Sequence, residues 1–296
     1  MAAPAKAGHG RLRDRVLSVG RDMAADFQQL ELFTYANAIA FCVLFALVPF
    51  ALFVVALLGF LDLTVLWTRD LAPGVGAIVG PSAFGVLDET VRQILVARQG
   101  YWLTAGLALT VWELSNAVFA VGGALNRIYR LSDERPLWHQ FRRSIVLGVV
   151  VGICLLGTLA VTQVVPGLAE RTLAPGTFAG VLGFIARWVV AVAAMLLVVG
   201  MLIRYAPAEP VKWRWVGTGT LVTVGAWSLT SIGFGAYISG LVNYGSLFGG
   251  LAFPFILLLY LYVAALALLL GVWVERRQRM GVVRSEHSVG EGAEAS

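Results

Sequence analysis

Six long apolar stretches, roughly Ala36–Leu61, Tyr101–Leu125, Ser144–Val165, Gly180–Ile203, Trp215–Ile238 and Leu247–Val274, constrain this chain more than any other feature. Each supplies the run of about 20 apolar residues that a helix needs to cross a bilayer. In hydrocarbon every backbone N–H and C=O must be satisfied within the spanning structure, which leaves helices or closed barrels. The stretches lack the period-2 alternation of barrel strands. The expectation is therefore an all-α, polytopic membrane bundle of six helices. Composition agrees, with 59% hydrophobic and 13% charged residues and the charge gathered in the connectors.

The basic residues give the bundle a direction. Lys6, Arg11, Arg13, Arg15 and Arg21 precede span one, Arg127, Arg130, Arg135, Arg142 and Arg143 follow span two, Arg204, Lys212 and Arg214 follow span four, and Arg276, Arg277, Arg279 and Arg284 follow span six. Only Arg69, Arg92, Arg98, Arg171 and Arg187 fall elsewhere. Because Lys and Arg accumulate on cytoplasmic loops, both termini are expected in the cytoplasm. The first apolar run starts too late and is too long for a cleavable leader, so it reads as an uncleaved signal anchor. The net charge of +5 suits anionic lipid headgroups and requires no nucleic acid.

Three regions follow: a cytoplasmic arm over 1–35, a membrane domain over 36–274, and a cytoplasmic tail over 275–296 expected to be disordered. In the arm, Leu12, Val16, Val19, Met23, Phe27 and Leu30 recur at helical spacing. This amphipathic helix either lies on the membrane surface or packs under the bundle. The extracytoplasmic connector, about 62–100, carries a second amphipathic stripe of Phe84, Leu87, Val91, Ile94 and Leu95 that would cap the bundle.

Within the membrane, Glu113 stands about twelve residues into span two, roughly 18 Å along the axis. Intramembrane carboxylates are costly and mark functional positions by default. Asn116, Ala117, Ala120, Gly123, Ala124 and Arg127 continue its face. Such a stripe either packs closely or lines a polar path. Arg187 either pairs with Glu113 or snorkels to the nearer surface. Ser228 and Ser231, with Gly217, Thr220 and Gly235, form a similar face on span five, where packing is the simpler reading. Pro49 and Pro254 each remove a backbone donor and are expected to bend their helices.

Catalytic parts are missing from the pattern. His9, His139 and His287 are scattered, Cys42 and Cys154 sit in different spans as small hydrophobes, and no H-E-x-x-H, G-x-S-x-G or Walker A run occurs. The reading is of a non-enzyme without metal or other cofactor.

The Pro49-centred AIAFCVLFALVPFALFVVALLG, the ALNRIYR of Ala124–Arg130, the APxxxxxW of Ala206–Trp213 with Trp227 beyond it, and NYGSLFGGL before the last span come in a characteristic order. Across roughly 30–275 the chain resembles the YihY/BrkB family, with Pro49, Asn126, Tyr129, Pro207, Tyr244 and Gly245 as the matching positions. It departs from that pattern where Val272 and Trp273 follow Gly271, so that the acid comes later, at Glu275, and where Tyr260 replaces a common Trp. The resemblance implies a membrane protein of a family that carries a virulence-factor label and has members tied to export of lipid precursors or other amphiphiles. A ribonuclease label also attached to that family finds none of its residues here.

Two functions of different class follow. One is movement of an amphiphilic, anionic molecule without ATP hydrolysis, along a path touching Glu113, Asn116, Asn126, Arg127, Arg187, Ser228, Ser231 and Tyr244. The other is a membrane scaffold whose arm and Arg127–Arg143 connector recruit a cytoplasmic partner.

Overall fold

The computed structural model describes residues 20–79, 81–97, 100–132, 134–172, 177–209, 217–240 and 252–294. Among them there is no β-strand. A short helix, α1, covers 20–29. It is followed by α2 (Leu32–Phe60), α3 (Thr64–Leu66), a π-helical turn (Trp67–Leu71), α4 (Ala72–Val79), α5 (Pro81–Ala97), α6 (Gly100–Tyr129), α7 (Leu137–Thr172), α8 (Thr177–Tyr205), α9 (Thr218–Gly240) and α10 (Ala252–Glu294).

Among the described residues, five segments are long and apolar enough to cross a membrane: Leu32–Phe60, Gly100–Tyr129, Leu137–Thr162, Ile185–Tyr205 and Pro254–Arg279. The fifth expected span, Trp215–Ile238, coincides with α9, which is helical over 23 residues but falls outside that set. Its Thr, Ser and Gly residues, among them Thr218, Gly219, Thr220, Thr223, Gly225, Ser228, Thr230 and Ser231, dilute the apolar content.

Packing runs α2 against α6, α6 against α7, α7 against α8, α8 against α9, α9 against α10, and α10 back onto α2. Small residues set how closely neighbours approach. A Cβ on Gly106 of α6 would lie 3.0 Å from the Phe53 backbone of α2, and one on Gly148 of α7 would lie 3.1 Å from the Ser115 nitrogen of α6. Between the ends of α2 and α6 the chain reverses with the same device. Asp62 and Arg130 take left-handed φ values of 60° and 54°. Leu63 N–H then donates to Leu58 O at 2.8 Å and Leu131 N–H to Asn126 O at 2.9 Å. These are Schellman closures, with Asp and Arg where glycine is usual.

The main core lies toward the end of the bundle that holds α1 and the α6–α7 connector, here the terminal end. Leu32, Ala36, Leu125, Ile128, Ile203, Leu269, Val272 and Trp273 meet there. Among residues whose burial is described, those buried on α7, α8 and α9 lie in the half nearest this end, Gly183 excepted, and those on α10 lie over 265–275.

The arm's described apolar residues settle onto the bundle: Phe27 joins the main core, with Met23 and Leu30 packed beside it. Leu12, Val16 and Val19 lie outside the described residues. At the opposite, distal end, the second stripe packs as its periodicity suggests. Val91 and Leu95 are buried with Val55, Trp67 and Ala72, flanked by Phe84, Leu87 and Ile94. Trp67 Nε1 donates to Asp88 Oδ1 at 2.9 Å, and Arg92 Nε donates to Asp88 Oδ2 at 2.8 Å. The Arg92 guanidinium, followed by the Trp67 indole, holds the Asp88 carboxyl below its ordinary range.

Two local expectations change. The last helix runs on to Glu294, through the segment read as a disordered tail. Val274–Met280 are mostly good helix formers, and Gly281, Gly290 and Gly292 each cost a helix only about 1 kcal/mol. Pro254 stands in the first turn of α10, where an amide N–H has no intrahelical acceptor, so it displaces no helical bond. Pro49 lies buried inside α2, which is helical throughout.

Candidate functional site

Among the described residues, two polar clusters lie at the terminal end and one isolated carboxylate stands at mid-span. The first cluster is built where α8 stops. Ala206, Pro207 and Ala208 leave the helix and pass across α6, close enough that a Cβ on Gly122 would lie 2.9 Å from Ala206 O. Asn126, one helical turn further along α6, accepts the Ala208 N–H through Oδ1 at 2.7 Å. The carbonyls on the same strip face cations: Arg143 Nη1 of α7 donates to Pro207 O at 2.7 Å and Ala208 O at 3.3 Å, and Arg135 Nη2 also donates to Ala208 O. Pro207 is among the most deeply buried residues of the chain. A strip of backbone with no helix of its own must find partners elsewhere, and three side chains supply them. Beside it lies a small cleft of about 50 Å³ lined by Val118, Phe119, Arg135, Gln140, Arg143 and Ser144, among others.

The second cluster joins α9 to α10. Glu275 is buried, with its side chain 8% exposed, and pairs with Arg279 at 2.5 Å across one turn of α10. Gly217 and Gly219 admit its carboxylate: a Cβ on Gly217 would sit 3.1 Å from both Glu275 oxygens, and one on Gly219 would overlap Oε2. Gly271, one turn before Glu275, lets Thr223 and the Gly219 carbonyl approach. Thr218 Oγ1 donates to Gln278 Oε1 at 2.5 Å. Tyr129 of α6 ends nearby with a buried hydroxyl that makes no hydrogen bond. α1 closes this side, through Trp273 Nε1 donating to Asp26 Oδ2 at 2.8 Å and Arg277 pairing with Asp22 at 2.7 Å.

The sequence-derived positions divide. Asn126 belongs to the first cluster. Arg127 is exposed and pairs with Glu31 at 3.7 Å, while Gly123 takes the Tyr35 ring at 3.1 Å from its notional Cβ. The lower half of the Glu113 stripe is therefore used in packing and ion pairing with α2 and the residue before it. Ser231 donates to Trp227 O at 2.9 Å and shares a hydrogen bond of 2.9 Å with Tyr260 Oη of α10, again packing. Ser228 and Asn116 are half-buried, and Arg187 is exposed on α8. No ion pair joins Arg187 to Glu113 among the described residues. Tyr244 lies outside the described residues.

Glu113 itself is half-buried on α6, near the Cys42 thiol of α2. Among the described residues its carboxylate takes part in no hydrogen bond or ion pair. Glu275, the acid displaced from the family pattern, is the most enclosed acid among the described residues. The spacing Gly271, Glu275, Arg279, one turn apart each time, together with Gly217 and Gly219, was the signal that could have found it.

A bundle of long apolar helices, closed by buried polar contacts at one end and bearing a mid-span carboxylate, defines a polytopic helical membrane protein. The chain belongs to the family described as Virulence factor BrkB, whose model matches residues 23–288. It is 30% identical over 271 residues to the UPF0761 membrane protein Smlt0865 of Stenotrophomonas maltophilia, covering 88% of this chain and 61% of that protein. It is 26% identical over 237 residues to the putative ribonuclease-like protein YfkH of Bacillus subtilis, covering 79% and 85%. A UPF0761 membrane protein of Xanthomonas oryzae is 26% identical over 266 residues, covering 88% and 61%. The chain thus spans about three-fifths of the length of the UPF0761 relatives. No solved structure matches it.

Proposed function

We propose that this protein is a six-span protein of the bacterial inner membrane that moves an anionic amphiphile between leaflets without ATP hydrolysis. In this reading α9 is the fifth of six spans, and the terminal end, with Arg127, Arg130, Arg135, Arg142, Arg143 and Arg204, faces the cytoplasm in accord with the positive-inside tendency. The single observation that carries it is Glu113. A charged acid at the centre of a spanning helix costs about 2.5–3.5 kcal/mol to insert. Structural acids recover that cost through partners, as Glu275 does with Arg279; Glu113 has neither hydrogen bond nor ion pair among the described residues. An acid kept at that cost without a partner is a group held for use, meeting the polar head of the cargo or carrying a proton at mid-membrane.

The test is Glu113→Gln in proteoliposomes, following movement of a fluorescent phosphatidylglycerol between leaflets at several pH values. The expected result is loss of protein-dependent movement with unchanged yield and thermal stability, since no described contact is removed. Movement equal to wild type in Glu113→Gln would refute the role.

The scaffold reading draws on a different observation. Gly106, Gly123 and Ser115, all on α6, are consumed in helix packing, and the α1–α10 junction leaves a surface hollow lined by Asp22, Asp26, Gln29, Trp273, Arg276 and Arg277. Absence of movement by wild type, together with a cytoplasmic protein retained through this surface and lost in Asp26→Arg, would favour it.

A further inference from the structure

We propose that Glu113 works a proton-operated latch between α6 and α2: on taking up a proton, its carboxyl O–H donates to the Phe45 carbonyl, which Pro49 leaves without a helical donor. The latch rests on the reading of Glu113 as a mid-membrane functional group and says what its proton does there.

The argument begins with the backbone. In a helix the Phe45 carbonyl accepts from the N–H of residue 49, and proline has none. Pro49 stands inside α2, which stays helical on both sides of it. A carbonyl freed in hydrocarbon finds its donor in a side chain or a neighbouring helix. α2 supplies no Ser, Thr, Asn or Gln between Phe41 and Phe53. On the facing stretch of α6, Thr110 and Ser115 donate to their own helix, at Gly106 O and Val111 O. The Trp112 ring packs edge-on against Phe141 of α7.

Register brings Glu113 to the gap. Gly106 meets the Phe53 backbone and Gly123 meets the Tyr35 ring, so α2 and α6 run antiparallel. Glu113, seven residues beyond Gly106, stands level with Ala46, seven residues before Phe53. Helical side chains lean toward the N-terminus of their own helix. In this pair that direction carries the Glu113 carboxyl toward Pro49, about 4.5 Å further along α2 by helical rise. Pro49 is buried one turn from Phe53, on the face of α2 that meets α6.

An ionised carboxylate only accepts hydrogen bonds, whereas a protonated one adds an O–H donor. The protonated form therefore satisfies both itself and the Phe45 carbonyl, and loss of the proton releases the tie between the helices. Neighbouring charges leave the carboxyl free to make this exchange. The ionisable groups of α2 are the Cys42 thiol, near Glu113, and Tyr35, which lies against Gly123. Between Arg143 and Glu170 only Cys154 ionises on α7, and between Ala252 and Val274 only Tyr260 and Tyr262 ionise on α10. Arg187, exposed on α8, makes no ion pair with Glu113 among the described residues.

Infrared difference spectra between acidic and alkaline buffer, taken on the full chain in liposomes, test the latch. A carboxyl band that vanishes in alkaline buffer and is missing from Glu113→Gln belongs to Glu113. In wild type it is expected at the lowered frequency of a hydrogen-bonded acid. In Pro49→Ala, which restores an N–H for the Phe45 carbonyl, it is expected to rise to the free-carboxyl frequency. Where Pro49→Ala does not fold, Glu113→Asp decides, since a carboxyl one methylene shorter is expected at the free frequency too. Asn116→Leu, which removes a nearby amide donor, is expected to leave the band in place. The latch is overturned by a wild type without such a band, by a band unmoved in Pro49→Ala or Glu113→Asp, or by one that moves in Asn116→Leu. Movement is read separately. Loss of lipid movement in Glu113→Gln with an unmoved band in Pro49→Ala removes the latch and leaves the transport reading; a moved band with no movement by wild type does the reverse.

Discussion

Replacing Gly271 with alanine isolates the energy of the α9–α10 crossing. A Cβ there would lie 2.5 Å from Gly219 O and 2.9 Å from Thr223 N, and would overlap the Thr223 hydroxyl. The hydroxyl can rotate away, but the two backbone atoms cannot. To reach an ordinary contact of about 3.4 Å the helices must part by roughly 0.9 Å, losing dispersion contacts along the crossing. Overpacking of this kind costs about 1–3 kcal/mol. Alanine also improves helix propensity by about 1 kcal/mol over glycine, which would mask part of the cost. Gly225 of α9 supplies the reference, because its Cβ would meet nothing within 4 Å. Gly225→Ala therefore receives the propensity gain alone. The difference between the two variants should be about 1–3 kcal/mol, and at about 2–4 °C per kcal/mol their melting temperatures in detergent should be separated by about 2–12 °C, Gly271→Ala lower. Thermal unfolding followed by intrinsic tryptophan fluorescence reads this directly. Equal melting temperatures, or a more stable Gly271→Ala, would refute the close crossing.

Other consequences can be checked in the same preparations. Asn126→Ala leaves the Ala208 amide without its acceptor and should destabilise the protein by about 1–3 kcal/mol, whereas Asn126→Asp retains an acceptor and should cost less; thermal unfolding compares them. Arg279→Met should be more destabilising than Glu275→Gln, because the carboxylate side chain is 8% exposed and the guanidinium 37%, so that removing the cation strands the group unable to reach water. Asp88 has a lowered pKa, caused first by Arg92 and then by Trp67. Its stabilising contribution is complete above the unfolded carboxylate value of about 3.9 and is lost as pH falls through its own lower value. Acid titration of tryptophan fluorescence should show loosening of the α3–α5 connector only on that acid side, and Asp88→Asn should abolish this pH dependence.

Apolar runs and helical periodicity made the long helices legible, since both properties are local. The Phe84–Leu95 stripe announced α5 for the same reason. The tie between Asn126 and Ala208 spans 82 positions and has no local signature; an asparagine at the end of a helix reads as a cap or a solvated side chain. Glu275 was obscured by its surroundings, because it stands where an apolar run gives way to Arg276, Arg277 and Arg279 and resembles the charged margin of any membrane helix. Only its enclosure by Gly217 and Gly219 from another helix distinguishes it. The stripe on α6 was recognised as small and polar, yet composition does not say whether such a face meets a neighbour or a cavity. The fold divides it, giving Gly123 and Arg127 to contacts and leaving Glu113 without a bond.

The uneven depth of packing along α7, α8, α9 and α10 bears on how the surrounding bilayer acts on this molecule. Among the described residues of these four helices, the contacts that resist separation are gathered near one leaflet, around Pro207, Glu275 and Trp273. Lateral pressure in the two leaflets therefore works against unequal stiffness. Lipids that thin or relax the distal leaflet act on the exposed described residues of these helices, such as Val181, Ile185, Trp188 and Phe255, and leave the clamps intact. Acyl-chain length and headgroup size in that leaflet should change the helix spacing there first, and the bilayer becomes a lever that works on only one end of the protein.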